Sequence, residues 1–283
     1  MRHWPLKEIL MKFISLFSMF FLLYSTAICQ FGQVATEDLI TISKKSAVPI
    51  WARDSSWPPD SAQFGSAVIV GDAGHIYALT CEHVVALKDS NQKTLRYLQQ
   101  LFVGLNRQDD STILVPIRLD SSNEANDFAL LKVPDAIQQY PVNLKIIPLS
   151  QWATKSDLKE GNSVVFIGYP LTLGVGAKNE PLSRTAIVSQ LSEHKPYFII
   201  DGFVQHGHSG SPVFIAKPNG NEWTRYLVGI ARGFPNEYAP VLQQVALRQE
   251  GGRVVILNPG FSFITSTDAI LPAIRKLITS NKH

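Results

Sequence analysis

Cysteine is scarce in this sequence, and charged residues are few. The 283 residues include two cysteines, Cys29 and Cys81. Cleavage near Cys29 would leave one of them, so a fold held together by internal disulfides is then excluded. Charged residues make up 17% and hydrophobic residues 45% of the chain, and this balance excludes a disordered protein. We find no internal repeat and no tract of low complexity.

The sequence also lacks a strong excess of charge of either sign. The formal net charge is +3, and the first 29 residues hold three basic residues against one acidic residue, a net +2. The rest of the chain therefore carries about +1. Because no basic patch is evident, we expect no nucleic-acid partner.

The longest apolar run lies at the N-terminus. A basic stretch, Met1–Lys12, precedes the apolar run Phe13–Tyr24, and the small residues Ser25–Ala27 follow. This order predicts a signal peptide over residues 1–29, since a membrane span takes about 20 apolar residues. An uncleaved membrane anchor is the alternative, and membrane contact is expected only in that case. Export without disulfides is common in the bacterial envelope, so we expect a periplasmic or secreted protein.

Residues 30–59 have a mixed composition and are interpreted as an N-terminal extension. From residue 60 onward, short β-branched runs alternate with Gly, Asn, Asp and Pro, which is typical of an all-β barrel or sandwich. Apolar residues at helical spacing follow a capping signal and predict a C-terminal helix over about 268–280. We also expect a shorter helix around Val85–Gln100. The predicted strands are Ala67–Val70, His75–Thr80, Leu101–Leu105, Ile113–Leu119, Phe128–Val133, Val164–Ile167, Thr185–Leu191, Tyr197–Ile200, Val213–Ile215, Leu227–Ala231 and Phe261–Ile264.

One serine lies in a turn that favours a role as a nucleophile. Ser209 lies between Gly207 and Gly210, and a proline and an apolar run follow. Such a turn exposes the hydroxyl and lets neighbouring N–H groups converge on one point. A serine nucleophile needs a base and an orienting carboxylate. His83 and Asp127 stand upstream, each beside a strand-like run, and the order His, Asp, Ser is that of chymotrypsin-type proteases.

The resemblance extends beyond these three residues. Asp201–Val213 resembles the nucleophile segment of bacterial trypsin-like proteases of the Deg/HtrA kind, which typically reads D-A-A-I-N-x-G-N-S-G-G-P-L. Phe64–Thr80 resembles the segment that leads to the histidine of that family. Later strands of the family are matched by Glu160–Pro170, Arg184–Ser189 and Leu227–Ala231. The resemblance covers roughly residues 60–280, in the order of the family.

The resemblance implies a single protease domain over residues 60–283. It would consist of two six-stranded β-barrels, about 60–150 and 160–265, followed by the C-terminal helix. We expect no PDZ module, which is the usual regulatory arm of that family. The matching positions of the family imply that His83 is the general base, that Asp127 orients it, and that Ser209 is the nucleophile. The oxyanion hole would come from the backbone N–H groups of Gly207 and Ser209, without a metal or cofactor, and the partner would be a protein or peptide substrate.

The resemblance also locates a substrate pocket. Its base would lie near Phe203 and Val204, and its wall would be formed by Ile230, Ala231 and Arg232. Because no carboxylate stands at the base, a preference for Lys or Arg is disfavoured. We expect the pocket to bind a small or medium apolar side chain of the substrate. An acidic side chain is the alternative, because Arg232 could approach the cleft.

Two positions depart from the family pattern. His208 replaces the usual Asp or Asn before the nucleophile, and Ser211 replaces the second glycine after it. The alternative function is therefore a catalytically silent protein of the same fold that binds peptides or partner proteins. A lipase-type G-H-S-x-G elbow is disfavoured, because its last glycine and the alternating helices of that fold are missing. Cys81 is expected to be a small buried residue.

Overall fold

The computed structural model describes residues 39–58, 60–72, 74–135, 137, 141–219, 222–234, 237–240, 254–257 and 260–280. The predicted signal peptide, residues 1–29, lies outside the described residues. No helix among the described residues is long and apolar enough to cross a membrane. Residues 39–44 are helical. The other helices are α1 (Glu82–Val85) and α2 (Thr267–Ser280), and the strands are β1 (Ala47–Arg53), β2 (Gln63–Asp72), β3 (His75–Thr80), β4 (Ala86–Lys88), β5 (Thr94–Tyr97), β6 (Gln100–Asn106), β7 (Thr112–Asn123), β8 (Phe128–Lys132), β9 (Ile147–Pro148), β10 (Ser163–Gly168), β11 (Leu182–Gln190), β12 (Tyr197–Asp201), β13 (Pro212–Asn219), β14 (Glu222–Gly233), β15 (Glu237–Pro240), β16 (Val254–Leu257) and β17 (Phe261–Ser266).

The first half of the chain forms a closed antiparallel barrel. Six strands follow one another in the order β1-β6-β7-β8-β3-β2, and pairing of β1 with β2 closes the ring. The short strand β9 adds to β2 in parallel. Closure leaves no free strand edge in the ring, so the backbone groups of the barrel are paired internally.

The second half forms another closed barrel, in the order β10-β11-β12-β17-β14-β13. Its strands β11 and β12 alternate between buried and exposed residues, with Ala186 and Val188 turned inward on one and Phe198 and Ile200 on the other. This period of two is the pattern of a barrel wall with one face in the core. The all-β class with two six-stranded barrels is therefore confirmed.

Helix α2, which follows the second barrel in the chain, packs into an apolar cluster that includes residues of both barrels. Ile270, Ile274 and Ile278 recur at helical spacing, are buried, and belong to the same apolar cluster as the strands of the first barrel. The predicted helix over about 268–280 agrees with the observed Thr267–Ser280. By this contact the chain terminus ties the two barrels together.

Two expectations are wrong. Strand β1 lies inside the predicted extension, because Ala47–Arg53 pairs with both β2 and β6; the first barrel therefore begins before residue 60. The helix expected over Val85–Gln100 is instead the hairpin of β4 and β5. Asp89 explains the hairpin: its Oδ1 accepts hydrogen bonds from the backbone N–H groups of Asn91 and Lys93, both at 2.8 Å, which stabilise a turn rather than a helix.

Candidate active site

The three residues of the predicted triad meet in the cleft between the barrels. His83 lies on the single turn α1, directly after β3, and its side chain is 35% exposed. Its Nε2 is 2.8 Å from Ser209 Oγ, and its Nδ1 is 2.8 Å from Asp127 Oδ2. The first barrel contributes the histidine and the aspartate, and the second contributes the serine. A continuous chain of hydrogen bonds therefore joins the carboxylate to the hydroxyl.

Asp127 is held in place by the turn between β7 and β8. Its φ is +50°, in the left-handed region that Asp and Asn tolerate better than most residues. Asp127 Oδ1 accepts a hydrogen bond from the backbone N–H of His83 at 3.0 Å. The hydroxyl of Thr265, on β17 of the second barrel, donates to the carbonyl oxygen of Asn126 at 2.9 Å. The turn that carries Asp127 is thus anchored to both barrels.

The electrostatics of Asp127 determine the tautomer of His83. Burial of the carboxyl acts to raise the pKa of Asp127, but the hydrogen bonds and charge of His83, with the charge of Arg232, outweigh it and lower that pKa. The carboxylate is therefore ionised and can only accept hydrogen bonds. His83 Nδ1 must carry the proton, which leaves Nε2 free to accept the proton of the Ser209 hydroxyl.

The nucleophile turn is fixed against the first barrel. The backbone N–H of Ser66, on β2, donates to the carbonyl oxygen of Ser209 at 2.8 Å, and the Ser66 hydroxyl donates to that of Gly207 at 2.7 Å. Gly210 adopts a φ of +86°, and a Cβ there would lie 2.0 Å from the carbonyl oxygen of Ser66. Only glycine fits this position, because both the backbone conformation and the space exclude a side chain.

Two backbone N–H groups of the turn remain available. His208 N–H donates to the carbonyl of Gln205, and Gly210 N–H donates to that of Ala231. Within the part of the chain that the structure describes, the N–H groups of Gly207 and Ser209 donate to no acceptor. They are the two groups that the family resemblance implies as oxyanion-hole donors.

The peptide before Gly207 is fixed in direction. The N–H of Leu171 donates to the carbonyl oxygen of His206 at 2.7 Å. In a trans peptide the carbonyl and the following N–H point in opposite directions, so this bond turns the Gly207 N–H away from Leu171. The arrangement fixes the direction of the first of these two N–H groups.

His208 is a structural residue of the turn. Its side chain is fully buried, and its Nδ1 accepts a hydrogen bond from the backbone N–H of Gln205 at 3.1 Å. The ring meets Phe166 edge to face, with centroids 5.2 Å apart. Burial, together with the positive charge of Arg184, lowers the pKa of His208 to about 4. The imidazole is therefore neutral at pH 7, and its packing and hydrogen bond stabilise the loop that carries Ser209.

Ser211 fits because a glycine faces it. The space beside its hydroxyl is provided by Gly168 at the end of β10, where a Cβ would lie 1.8 Å from Ser211 Oγ. The side chain is fully buried, and Oγ has no hydrogen-bond partner among the described residues. Neither departure from the family pattern displaces Ser209 from His83.

The structure revises the predicted substrate pocket. Phe203 is 46% exposed, but Val204, Ile230 and Ala231 are buried in the apolar cores and do not present side chains to the cleft. Their place is taken by the end of β14. A cavity of about 440 Å3 beside the triad is lined by His83, Lys88, Gln92, Glu124, Asp127, Tyr197, Arg232, Gly233, Phe234 and Phe263.

The site contains supporting residues that sequence reasoning did not identify. Ser66 and Thr265 connect the barrels, and the Thr80 hydroxyl donates to the carbonyl oxygen of Ser66 at 2.6 Å. Ser66 lies in the motif Phe64-Gly65-Ser66, which carries the family resemblance, so a signal was present for it. No sequence motif indicated a role for Thr265, since its hydrogen-bond partner is the backbone of Asn126, which lies 139 positions away.

Cys81 behaves as expected from the sequence. It is a free, fully buried thiol, and its Sγ donates to the carbonyl oxygen of Ala231 at 3.1 Å. Burial and the nearby negative charge of Asp127 hold the pKa of Cys81 well above its usual value. The protonated thiol packs as a small apolar group and is not a second nucleophile.

Comparisons with known proteins agree with this fold. The family model of the trypsin-like peptidase domain matches residues 65–221, which is more than half of the chain. No curated protein matches this sequence. Among solved structures, Deg5 is similar in fold, with a TM-score of 0.54 and 18% identity over 85% of this chain and 92% of Deg5. The active form of the Rv3671c protease from M. tuberculosis gives a TM-score of 0.50 and 16% identity over 84% of this chain and 83% of that protein. With its two barrels and the match of the family model, the chain belongs to the trypsin-like peptidase domain family.

Proposed function

We propose that this protein is an exported serine endopeptidase that cleaves peptide bonds through an acyl-enzyme. Ser209 Oγ attacks the scissile carbonyl carbon while His83 Nε2 takes the hydroxyl proton. The carbon–nitrogen bond then breaks, and the imidazolium gives its proton to the leaving amine. Water, deprotonated by His83, hydrolyses the acyl-enzyme. Asp127 keeps the imidazole in the required tautomer and stabilises its charged form.

One observation carries the proposal. The hydrogen-bond chain from Asp127 through His83 to Ser209 is complete, and two N–H groups without acceptors among the described residues lie on the same turn. A donor aimed at the developing oxyanion contributes about 3 kcal/mol to the stability of the transition state. A turn that served only to bind peptides would not need an activated hydroxyl.

The cleft supports a protein or peptide as the substrate. Beyond Ile230 the strand β14 is no longer paired with β13, so the backbone around Gly233 forms an edge to which an extended peptide can add. The exposed ring of Phe203 offers an apolar surface, so we propose a small or medium apolar side chain before the scissile bond.

Covalent labelling with a fluorophosphonate tests the proposal. We expect the wild-type protein to be labelled and Ser209→Ala to show no labelling. Ser211→Ala is the matched control, since it removes a neighbouring hydroxyl that is buried and does not contact His83, and it should label like the wild type. The catalytically silent alternative predicts that the folded wild type binds peptides but takes up no label.

The same experiment tests export. The labelled protein is recovered separately from the cytoplasm and from the envelope or the medium, and its mass is measured. We expect the exported form to lack residues 1–29. A labelled, exported protein that retains Phe13–Tyr24 would instead support a membrane anchor.

A further inference from the structure

The charge network of the proposed triad includes a fourth residue. Arg232 Nε lies 3.4 Å from Asp127 Oδ2, the same oxygen that lies 2.8 Å from His83 Nδ1. The Asp127 side chain is 8% exposed and that of Arg232 is 33% exposed, so the pair lies between the protein interior and the cleft. We propose that Arg232 is a positioning residue that holds the Asp127 carboxylate ionised and disfavours premature protonation of His83. This inference rests on the proposed function.

The fold directs Arg232 toward Asp127 by an irregularity in β14. Ala231 pairs with Ile264 and Gly233 pairs with Phe263, so Arg232 is an extra residue without a counterpart on β17. Such β-bulges change the direction of a side chain and occur often beside active sites. Ala231 is buried in the core of the second barrel, while its neighbour reaches a carboxylate that belongs to the first.

The contact is mainly electrostatic. A separation of 3.4 Å is long for a strong hydrogen bond, whereas a charge–charge interaction remains effective at that distance. In the part of the chain that the structure describes, Arg232 makes no other ion pair. The guanidinium is always charged near neutral pH, so it supplies a fixed positive charge beside the buried carboxylate.

This fixed charge has opposite effects on the two partners. It stabilises the ionised carboxylate, which must accept the hydrogen bond from His83 Nδ1. It also opposes a second positive charge on the imidazole, which must be neutral before it can accept the proton of Ser209. Removal of this charge should therefore reduce labelling most strongly in weak acid.

Other titratable groups also lie near His83 and Asp127, and they could affect the pH dependence of labelling. Lys88, on β4, pairs with Glu82 and lies 3.6 Å from Glu124, so its charge is largely compensated locally. The thiol of Cys81 stays protonated. Variants at position 232 leave all these groups in place, so a difference in pH dependence reports on Arg232.

The rate of fluorophosphonate labelling as a function of pH provides the test. It requires no knowledge of the natural substrate. We expect Arg232→Met to shift the acid limb of the labelling profile to higher pH, with a loss of about tenfold at pH 5.5 and less than about threefold at pH 8. Arg232→Lys keeps the charge and should retain most of the wild-type profile. Arg118→Met is the matched control, because Arg118 lies on β7, its side chain is 78% exposed, and its one ion pair among the described residues is a 3.9 Å contact with Asp120.

The possible outcomes separate this inference from its alternatives. Equal losses at every pH would assign Arg232 a merely structural role, and a shift of the same size in Arg118→Met would indicate a general charge effect. Arg232→Gln, which keeps polar donors without the charge, is measured in parallel and must show the shift even if Arg232→Met does not fold. A folded wild type that takes up no label overturns the proposed function, whereas a labelled wild type with unshifted variants overturns only the role of Arg232.

Discussion

The two halves of the site are held together in different ways. In the acid–base half, both oxygens of Asp127 accept hydrogen bonds from His83, and Arg232 adds a positive charge. In the nucleophile half, two buried polar atoms, His208 Nε2 and Ser211 Oγ, have no partner among the described residues. The first half therefore owes its order to satisfied polar groups. The second owes its order to packing, glycine conformations and hydrogen bonds made by its backbone groups.

This difference predicts which substitutions affect the proposed reaction and which affect the stability of the fold. In the proposed mechanism, a change in the acid–base half alters the ionisation and tautomer of the groups that transfer the proton. A change to the side chains that flank Ser209 alters mainly the stability of the turn, because the groups that would take part in the reaction there are one hydroxyl and two backbone N–H groups. Substitutions in each half can break or sharpen this contrast.

The largest effect is expected for Asp127→Asn. The amide keeps the shape of the carboxylate but donates a hydrogen bond, so His83 adopts the wrong tautomer. We expect kcat for a peptide that the wild type cleaves to fall by about four orders of magnitude, with little change in KM. Thermal unfolding of the variant serves as the control for folding. A loss of less than tenfold would mean that another group orients His83, and Asp120 would be tested next.

An intermediate effect is expected for His208→Asn, and it concerns stability. The folded-state pKa of His208, about 4, lies below the usual value of 6.5, so the unfolded chain binds the proton first. Stability is therefore complete above about pH 6.5 and falls as the pH falls toward 4. For the wild type this contributes a loss of about 2 kcal/mol between pH 7 and pH 5.

Denaturant unfolding at the two pH values measures this contribution. His208→Asn should be less stable than the wild type at pH 7, since it loses the packing of the ring, but it should lack the added loss at pH 5. His194→Asn, at an exposed turn position, is the control and should keep the pH dependence of the wild type. Identical pH dependence in His208→Asn and the wild type would contradict the buried neutral imidazole.

The smallest effect is expected for Ser211→Ala. A buried hydroxyl without a partner disfavours the folded state, so its removal should leave the free energy of unfolding unchanged or raise it by up to about 1 kcal/mol. Denaturant unfolding at pH 7 measures the change, with Ser66→Ala as the contrast, because the Ser66 hydroxyl donates to Gly207. A loss above about 1 kcal/mol in Ser211→Ala would reveal a partner for its hydroxyl and weaken the contrast between the halves.

The sequence predicted those parts of the molecule that depend on local pattern. Strand periodicity and turn residues predicted most strands, and helical spacing predicted α2. The motifs around His83, Asp127 and Ser209 predicted three residues that the structure brings together. Each of these motifs lies within a short segment, where the neighbours that determine its conformation are visible in the sequence.

What the sequence did not predict depends on distant partners. Strand β1 has no strong signal of its own and forms because β2 and β6 offer their edges. Arg232 was expected at the cleft, but its contact with Asp127 depends on a bulge relative to β17. Val204 was placed at the base of the pocket by its family position, yet its side chain is drawn into the core of the second barrel. Such contacts are determined by the tertiary fold and leave no mark on local pattern.

The division of the site between two barrels has a consequence for folding. His83 and Ser209 are separated by 126 positions in the chain, so bringing them together requires closure of a long loop. A chain in which one barrel has folded lacks either the nucleophile or its base. The hydrogen bonds of Ser66 and Thr265 form only when both barrels have docked. A nascent or incompletely folded chain therefore has no assembled triad, and its own unfolded segments are not exposed to that triad before the last stage of folding.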